Sequence, residues 1–179
     1  TRNPVWCVRD LINNDYYGLK SYFQSTLNDT DLRLLAKYCD ELVDDGQGGT
    51  EKRFLLDVVI DSQDDARNVL ERLLSTFRGF GAWAENQYKI KINKAENPVQ
   101  LFGMGNIIAD SLNISYSSAT DRFNVAKIVY PDANDPQSRL GEVMIYDVDG
   151  AETERSQTFN FIGITRRSQA VRLGRFLLN

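Results

Sequence analysis

A chain of 179 residues and 20.4 kDa holds one sizeable domain or two small modules, and it can bury a core without disulfide or metal staples. Apolar residues make up 42% and charged residues 26%, close to a soluble globular average, and no apolar run approaches the ~18 residues of a membrane span. The absence of histidine excludes histidine general bases, Ser-His-Asp and Cys-His machinery and every His-ligated metal site, and a formal charge of −4 disfavours a general nucleic-acid binder, which needs a basic face.

Asn3-Pro4 is a helix start, because Asn caps and Pro fits the first helical position. Val5, Val8, Leu11 and Ile12 follow at helical spacing, and Asn13-Asn14-Asp15 ends the helix. Tyr16, Tyr17, Tyr22 and Phe23 form an aromatic linker around Gly18 that is expected to pack inward. A second helix is predicted from about Thr30 to Val43, with Leu32, Leu35, Ala36, Cys39, Leu42 and Val43 as its apolar stripe. The acidic, glycine-rich run from Asp44 to Gly49 stops it. Phe54 to Ile60 is rich in strand formers and is predicted as a strand. Ser62 is the expected cap of a third helix, with Asp65 three residues later, and Ala66, Val69, Leu70, Leu73 and Phe77 form its buried face up to a closing Gly79.

Beyond Gly81 the period changes from 3.6 to 2. Tyr88 to Ile92 alternates as a half-buried strand, and Asn86-Gln87 turns a hairpin from a strand over 82–85. Asn97-Pro98 marks a module boundary. Further strands are expected near Val99–Phe102, Asn106–Tyr116, Arg122–Tyr130, Glu142–Val148 and Thr158–Ile164, with a polar connection from Pro131 to Gly141. Thr165 is placed as the cap of a final helix from about Arg167 to Leu178. There Ala170, Leu173, Gly174 and Leu177 share one face, while Ser168, Arg172 and Arg175 lie on the other. Helices dominate the first half and strands the second. The expected class is α+β: a helix-rich α/β module over 1–97, then a β-rich barrel- or sandwich-like module with a closing helix over 98–179.

No motif points to chemistry. Asp44, Asp45 and Glu51 miss EF-hand spacing, so the loop reads as an acidic turn with a loose calcium site as its alternative. Gly103-Met104-Gly105 lacks a third glycine at Ile108, and there is no P-loop or nucleophile-elbow pattern. Cys7 and Cys39 are isolated and read as small core residues. The reading is therefore no catalytic, cofactor-binding or metal residues and no cofactor. Arg78-Gly79-Phe80-Gly81-Ala82-Trp83 is a helix-to-strand turn with Trp83 packed on the third helix, or an aromatic anchor for a partner. Charge is uneven: residues 156–179 hold four Arg and no acid, against 17 bases and 25 acids in residues 1–155. Such a basic end is a solvated face, or it docks on an acidic neighbour. Thr1 without Met, and Asn179 directly after an apolar helical stretch, are expected marks of a piece of a longer protein.

Several segments, in order along the chain, carry a resemblance. They are Asn3-Pro4-Val5-Trp6 with Arg9-Asp10-Leu11; Tyr38-Cys39-Asp40-Glu41 with Arg53-Phe54; Phe77-Arg78-Gly79; Asn124-Val125 with Val129-Tyr130; and Gly163-Ile164-Thr165 with Gln169-Ala170-Val171-Arg172 and Gly174-Arg175. Together they resemble the central region of the phage tail tip attachment, or host-specificity, family. The resemblance implies a non-enzymatic virion protein, in a phage or prophage tail-tip hub that joins the tail tube to receptor-contacting parts. It implies a location at the virion tail tip, and in the host bacterial cytoplasm before assembly. Implied partners are other tail-tip proteins, copies of itself in a homotrimer of the full-length protein, and a host receptor reached through the parent protein. Specific nucleic acid and a membrane span are not expected. Alone, the chain is expected to be a monomer or weak oligomer. A carbohydrate- or receptor-binding module using Trp83 and the tyrosines is the alternative function, and a cell-wall hydrolase domain with paired carboxylates the third.

Overall fold

A computed structural model describes residues 1–21, 23, 27–61, 64–85, 87–103, 105–108, 111–116, 118, 122–135, 137, 139–147 and 154–179. The readings at Tyr22, Ser62, Asn86, Met104 and Val148 lie outside the described residues.

Helix α1 (Pro4–Asn13) starts where the sequence places it. The Asn3 side chain accepts from Val5 N–H at 3.1 Å, and its amide donates to Ala36 O at 2.9 Å, so one residue caps α1 and ties it to the next helix. Helix α2 (Asp29–Asp40) is capped by Asn28 and buries Leu32, Leu35, Ala36 and Cys39. It is shorter than expected. Leu42-Val43-Asp44 forms strand β1 (Leu42–Asp44), paired antiparallel with β2 (Thr50–Lys52). The reason is the loop between them. Asp44 accepts from Gly46 N–H, Asp45 accepts from Gln47 and Gly49 N–H, and Gly46 and Gly48 take positive φ, a geometry that folds the chain back instead of extending a helix.

Helix α3 (Ala66–Ser75) is capped by Asp65, whose carboxylate accepts from Arg67 N–H at 2.8 Å. It buries Leu70, Leu73 and Leu74, with Phe77 fully enclosed just beyond its end. The left-handed residue after the helix is Arg78 (φ 59), and Gly79 opens the next strand. Strands β3 (Gly79–Ala84) and β4 (Gln87–Ile92) form a hairpin, and Tyr88, Ile90 and Ile92 alternate inward as the period-2 pattern requires. Helices α1, α2 and α3 and the inner face of this hairpin enclose the first core, centred on Val5, Val8, Cys39, Phe54, Leu70, Leu74 and Phe77.

Strands β5 (Val125–Pro131), β6 (Leu140–Tyr146) and β7 (Ser156–Asn160) form a sheet in the order β6-β5-β7, antiparallel on one side and parallel on the other. Helix α4 (Arg167–Leu178) covers one face of it. Ala126, Ile128, Tyr130, Val143 and Ile145 meet Ala170 and Leu173 there, forming the second core. The closest approach is at Gly174, where a Cβ would stand 2.4 Å from Ile145 Cδ1. The opposite face of the sheet carries Leu140, Glu142, Met144 and Tyr146, all exposed. The α+β class therefore holds, and the second half is a helix-covered sheet, with no closed barrel among the described residues.

Several expectations are corrected. Among the described residues Phe54–Ile60 pairs with no strand, because its backbone groups bond to scattered partners instead of one ladder: Phe54 N–H to Cys39 O, Leu56 N–H to Arg2 O, and Asp57 N–H to Gly163 O. No described residue of 99–116 is in a strand; Val99, Leu101, Phe102, Ile108, Leu112, Ile114 and Tyr116 are exposed, and strand propensity is realised only where a paired, half-buried surface exists. Tyr16 and Tyr17 face solvent rather than packing. Thr165 does not cap α4, since its hydroxyl donates to Asp57 instead.

Candidate functional site

Three of the segments that carry the resemblance meet in space: Tyr38–Glu41 with Arg53-Phe54, Phe77–Gly79, and the stretch from Gly163 to Arg172 come together at residues 51–57, a crossing segment that runs on from hairpin β1–β2. Arg53 stacks over Tyr38 at 4.4 Å and pairs with Glu41 at 2.8 Å. Arg78 lies between Phe54 and Phe176, at 5.2 and 4.7 Å from their ring centres, and donates to Tyr38 Oη at 3.0 Å. These contacts join α2, the crossing segment, the turn after α3 and the last turns of α4.

Glu51 is the electrostatic centre of this joint. Its two oxygens take Arg166 at 2.5 Å and Arg172 at 2.7 Å, and the Ser168 hydroxyl donates to it at 2.6 Å. All three members of the ion triad are less than a quarter exposed, so their attraction is little screened. Burial pushes the Arg166 guanidinium below its ordinary pKa and Glu51 pushes back; the group stays charged. Arg172 also donates to Arg53 O at 2.9 Å, and Gln169 grips the backbone of Leu55. Below this joint, Asp57 takes Arg2 and the Thr165 hydroxyl; the Arg2 hydrogen bond is the main cause that holds its carboxyl below the usual range.

This geometry revises two sequence readings. Arg172 and Ser168 do not face solvent, because Glu51 holds both against the crossing segment. Half of the basic end is thus paired within the chain, while Arg167 and Arg175 remain exposed and make no ion pair among the described residues. The acids of the loop at 44–51 are also committed: Asp45 turns its carboxylate onto its own loop backbone, which holds its pKa below the ordinary value, and Glu51 faces α4. Sequence reasoning weighed Glu51 only as an acid of the loop at 44–51 and met Gln169 only within the resemblance, and gave neither a part in this joint.

Cys39 is fully buried and Cys7 partly so, both unpaired. Burial pushes the Cys39 thiol up to about 12, the state of an inert core residue. Trp83 does not bury itself on α3. It is 58% exposed on β3, stacked on Phe23 at 5.6 Å and edge-on to Tyr88 at 5.5 Å. It borders a groove of ≈ 870 Å³ with Phe80, Arg67 and Glu71. Two further grooves flank the second sheet. One of ≈ 470 Å³ is walled by Val58, Val59, Ile60 and Asp61 and reaches Leu140; the other, of ≈ 660 Å³, runs between the 143–147 stretch and α4. No described helix is long and apolar enough to cross a membrane.

The family model described as "Putative phage tail protein" matches residues 65–179. Tip attachment protein J of Escherichia phage SECphi27 is 32% identical to the chain over 187 aligned residues, covering 99% of the chain and 15% of that protein. Tip attachment protein J of Escherichia phage SECphi4 is 29% identical over 185 aligned residues, covering 98% of the chain and 16% of that protein. The chain therefore spans only a small part, 15 to 16%, of the length of these curated relatives.

Proposed function

We infer the function from one premise: the chain belongs to the phage tail protein family. We propose that it is an inner structural piece of a tail-tip hub, linking the tail tube to receptor-contacting parts and acting by rigid connection instead of catalysis. Its partners are then other tail-tip proteins and copies of itself in a homotrimer of the longer protein, with host attachment made through that parent protein. The virion tail tip is its place, and the host cytoplasm its place before assembly.

The observation that carries this reading is the joint at residues 51–57. Its charged side chains are committed to holding two apolar cores at a fixed geometry: Glu51 to Arg166 and Arg172, Arg53 to Glu41, Asp57 to Arg2. A load-transmitting connector needs such cross-ties, and groups tied in this way are not poised for proton transfer. The two cores also support reading residues 1–97 and 98–179 as two modules.

The groove beside Trp83 favours a carbohydrate- or receptor-binding module as the second reading, because an exposed indole flanked by Phe80, Glu71 and Arg67 is the surface a saccharide stacks on. The acids around it do not favour hydrolysis: Asp65 caps α3, Asp64 pairs with Arg72 and Glu71 with Arg67.

Mass spectrometry and cryo-electron microscopy of purified virions test the hub reading. Peptides of residues 1–179 should be present in tails, and the α4-covered sheet should fit density at the distal tip. Absence from tails, or density along the tube, overturns it. Glycan-array binding lost on Trp83→Ala would promote the second reading.

A further inference from the structure

Two surfaces of this chain complement each other and share no lining residue. The first is the outer wall of the ≈ 470 Å³ groove, Val58 to Asp61. Val59 is 86% exposed and Ile60 48%, and Asp61 is exposed and unpaired among the described residues. The backbone N–H and C=O groups of 58–61 make no backbone hydrogen bond within the described chain. Exposed branched apolar side chains on an unpaired backbone are the features of a strand that lacks a neighbour.

The second surface supplies what such a segment needs. Among the described residues, strand β6 is an edge of its sheet, paired only with β5. Along that edge lies the ≈ 660 Å³ groove, lined by Val143, Ile145, Val171 and Leu178 together with the exposed Arg167 and Arg175. These are the two arginines of the basic end that Glu51 leaves unpaired. An extended apolar segment added to β6 would gain main-chain hydrogen bonds, bury Val59 and Ile60, and set an acid against the two guanidiniums. Among the described residues, the exposed runs 99–102 and 111–116 are competing occupants, but neither carries an acid for those two arginines.

We propose that residues 58–61 of one copy dock along the β6 edge of a second copy, with Asp61 of the first against Arg167 and Arg175 of the second. Because the two surfaces differ, the contact is head-to-tail, and repetition closes a ring or continues as a chain. The choice of a second copy as occupant rests on the hub reading above; the complementarity of the surfaces does not. One short segment and one charge cluster make a weak contact in isolation, with Kd between about 1 µM and 1 mM.

Charge reversal tests this by sedimentation equilibrium of the 179-residue chain at low salt. The wild type should self-associate, and added salt should weaken it. Arg167→Glu with Arg175→Glu should weaken association at least about tenfold, as should Asp61→Arg alone, since like charges then face each other. Combining all three changes in one chain should restore association, and so should mixing the two variants. Unchanged thermal melting of each variant keeps misfolding out of the comparison. A wild type that stays monomeric, an association indifferent to either reversal, or a triple variant that does not recover would each overturn the proposal. Virion analysis reads the hub separately: chains absent from tails but obeying the charge swap would sink the hub reading and leave the docking surface standing.

Discussion

Gln169 does for Leu55 what a neighbouring strand would do: its amide oxygen accepts from Leu55 N–H at 3.0 Å and its Nε2 donates to Leu55 O at 3.1 Å. The side chain is 1% exposed, so neither Leu55 group has water as a ready substitute. A leucine at position 169 would keep the bulk and remove both bonds. Gln169→Leu should cost about 1–3 kcal/mol for each Leu55 group left unpaired. Thermal unfolding should show the loss, and hydrogen exchange at the Leu55 amide should accelerate more than exchange in β4. Equal protection at Leu55 in both proteins would show that the clasp is incidental.

The ion triad at Glu51 gives a second expectation. Removing one partner of a buried pair leaves charge without compensation, at about 3–5 kcal/mol. Glu51→Gln strands both Arg166 and Arg172 and should fall in that range. Arg172→Ala should cost about 1.5–3 kcal/mol, the worth of hydrogen bonds to a charged group, whereas Arg175→Ala on the exposed side should stay within about 0.5 kcal/mol. Leu173→Ala, in the second core, should cost about 2–5 kcal/mol. Denaturant midpoints order the four variants, and an Arg172→Ala protein as stable as Arg175→Ala would mean the triad contributes nothing.

Two glycines separate crowding from backbone strain. At Gly174 a Cβ meets only side-chain atoms, the nearest being Ile145 Cδ1 at 2.4 Å, and overpacking of this kind costs about 1–3 kcal/mol. Gly163 has φ +80 as well as a 2.4 Å clash with Leu56 Cδ1, so Gly163→Ala adds about 1–2 kcal/mol for a left-handed residue. Gly163→Ala should therefore lower the melting temperature more than Gly174→Ala. The reverse order would show that the turn at 163 relaxes.

The elements read most surely from sequence are those whose signal is local. Asn3-Pro4 announces α1, the Tyr88-Ile90-Ile92 alternation gives β4, and the spacing of Ala170, Leu173 and Gly174 marks the buried face of α4. The joint was not legible because its meaning is distant: Gln169 and Leu55 are 114 residues apart, and Glu51 and Arg172 are 121. On a helical wheel Arg172 falls on the polar side, and nothing local says that an acid from a hairpin will cover it. The same limit explains residues 54–60 and 99–116. Their composition states a preference for extended chain, but pairing depends on a partner strand that propensity does not name.

Asp57 links the joint to pH. The Arg2 guanidinium, bonded through Nε and Nη2, is the main cause that holds its carboxyl below the ordinary value of 3.8, and the Thr165 hydroxyl adds to it, with burial opposing both. A carboxylate whose folded pKa is depressed stabilises the fold fully above its unfolded pKa. That stabilisation fades as pH falls through the window between the two values, because the unfolded chain takes up the proton first. The contribution is therefore complete at neutral pH and disappears on the acid side, below about pH 4. Asp57→Asn should be less stable than the wild type at pH 7, and the gap should narrow as the pH is lowered through that window. Thr165→Val, which keeps the Arg2 pair and deletes one hydrogen bond, should show a smaller change of the same sign. Urea midpoints measured from neutral pH down to about pH 2.5 give the comparison. A wild type and an Asp57→Asn variant that lose stability in parallel would show that Asp57 has the same proton affinity in the folded and unfolded chains, and that its contacts with Arg2 and Thr165 are not held in solution.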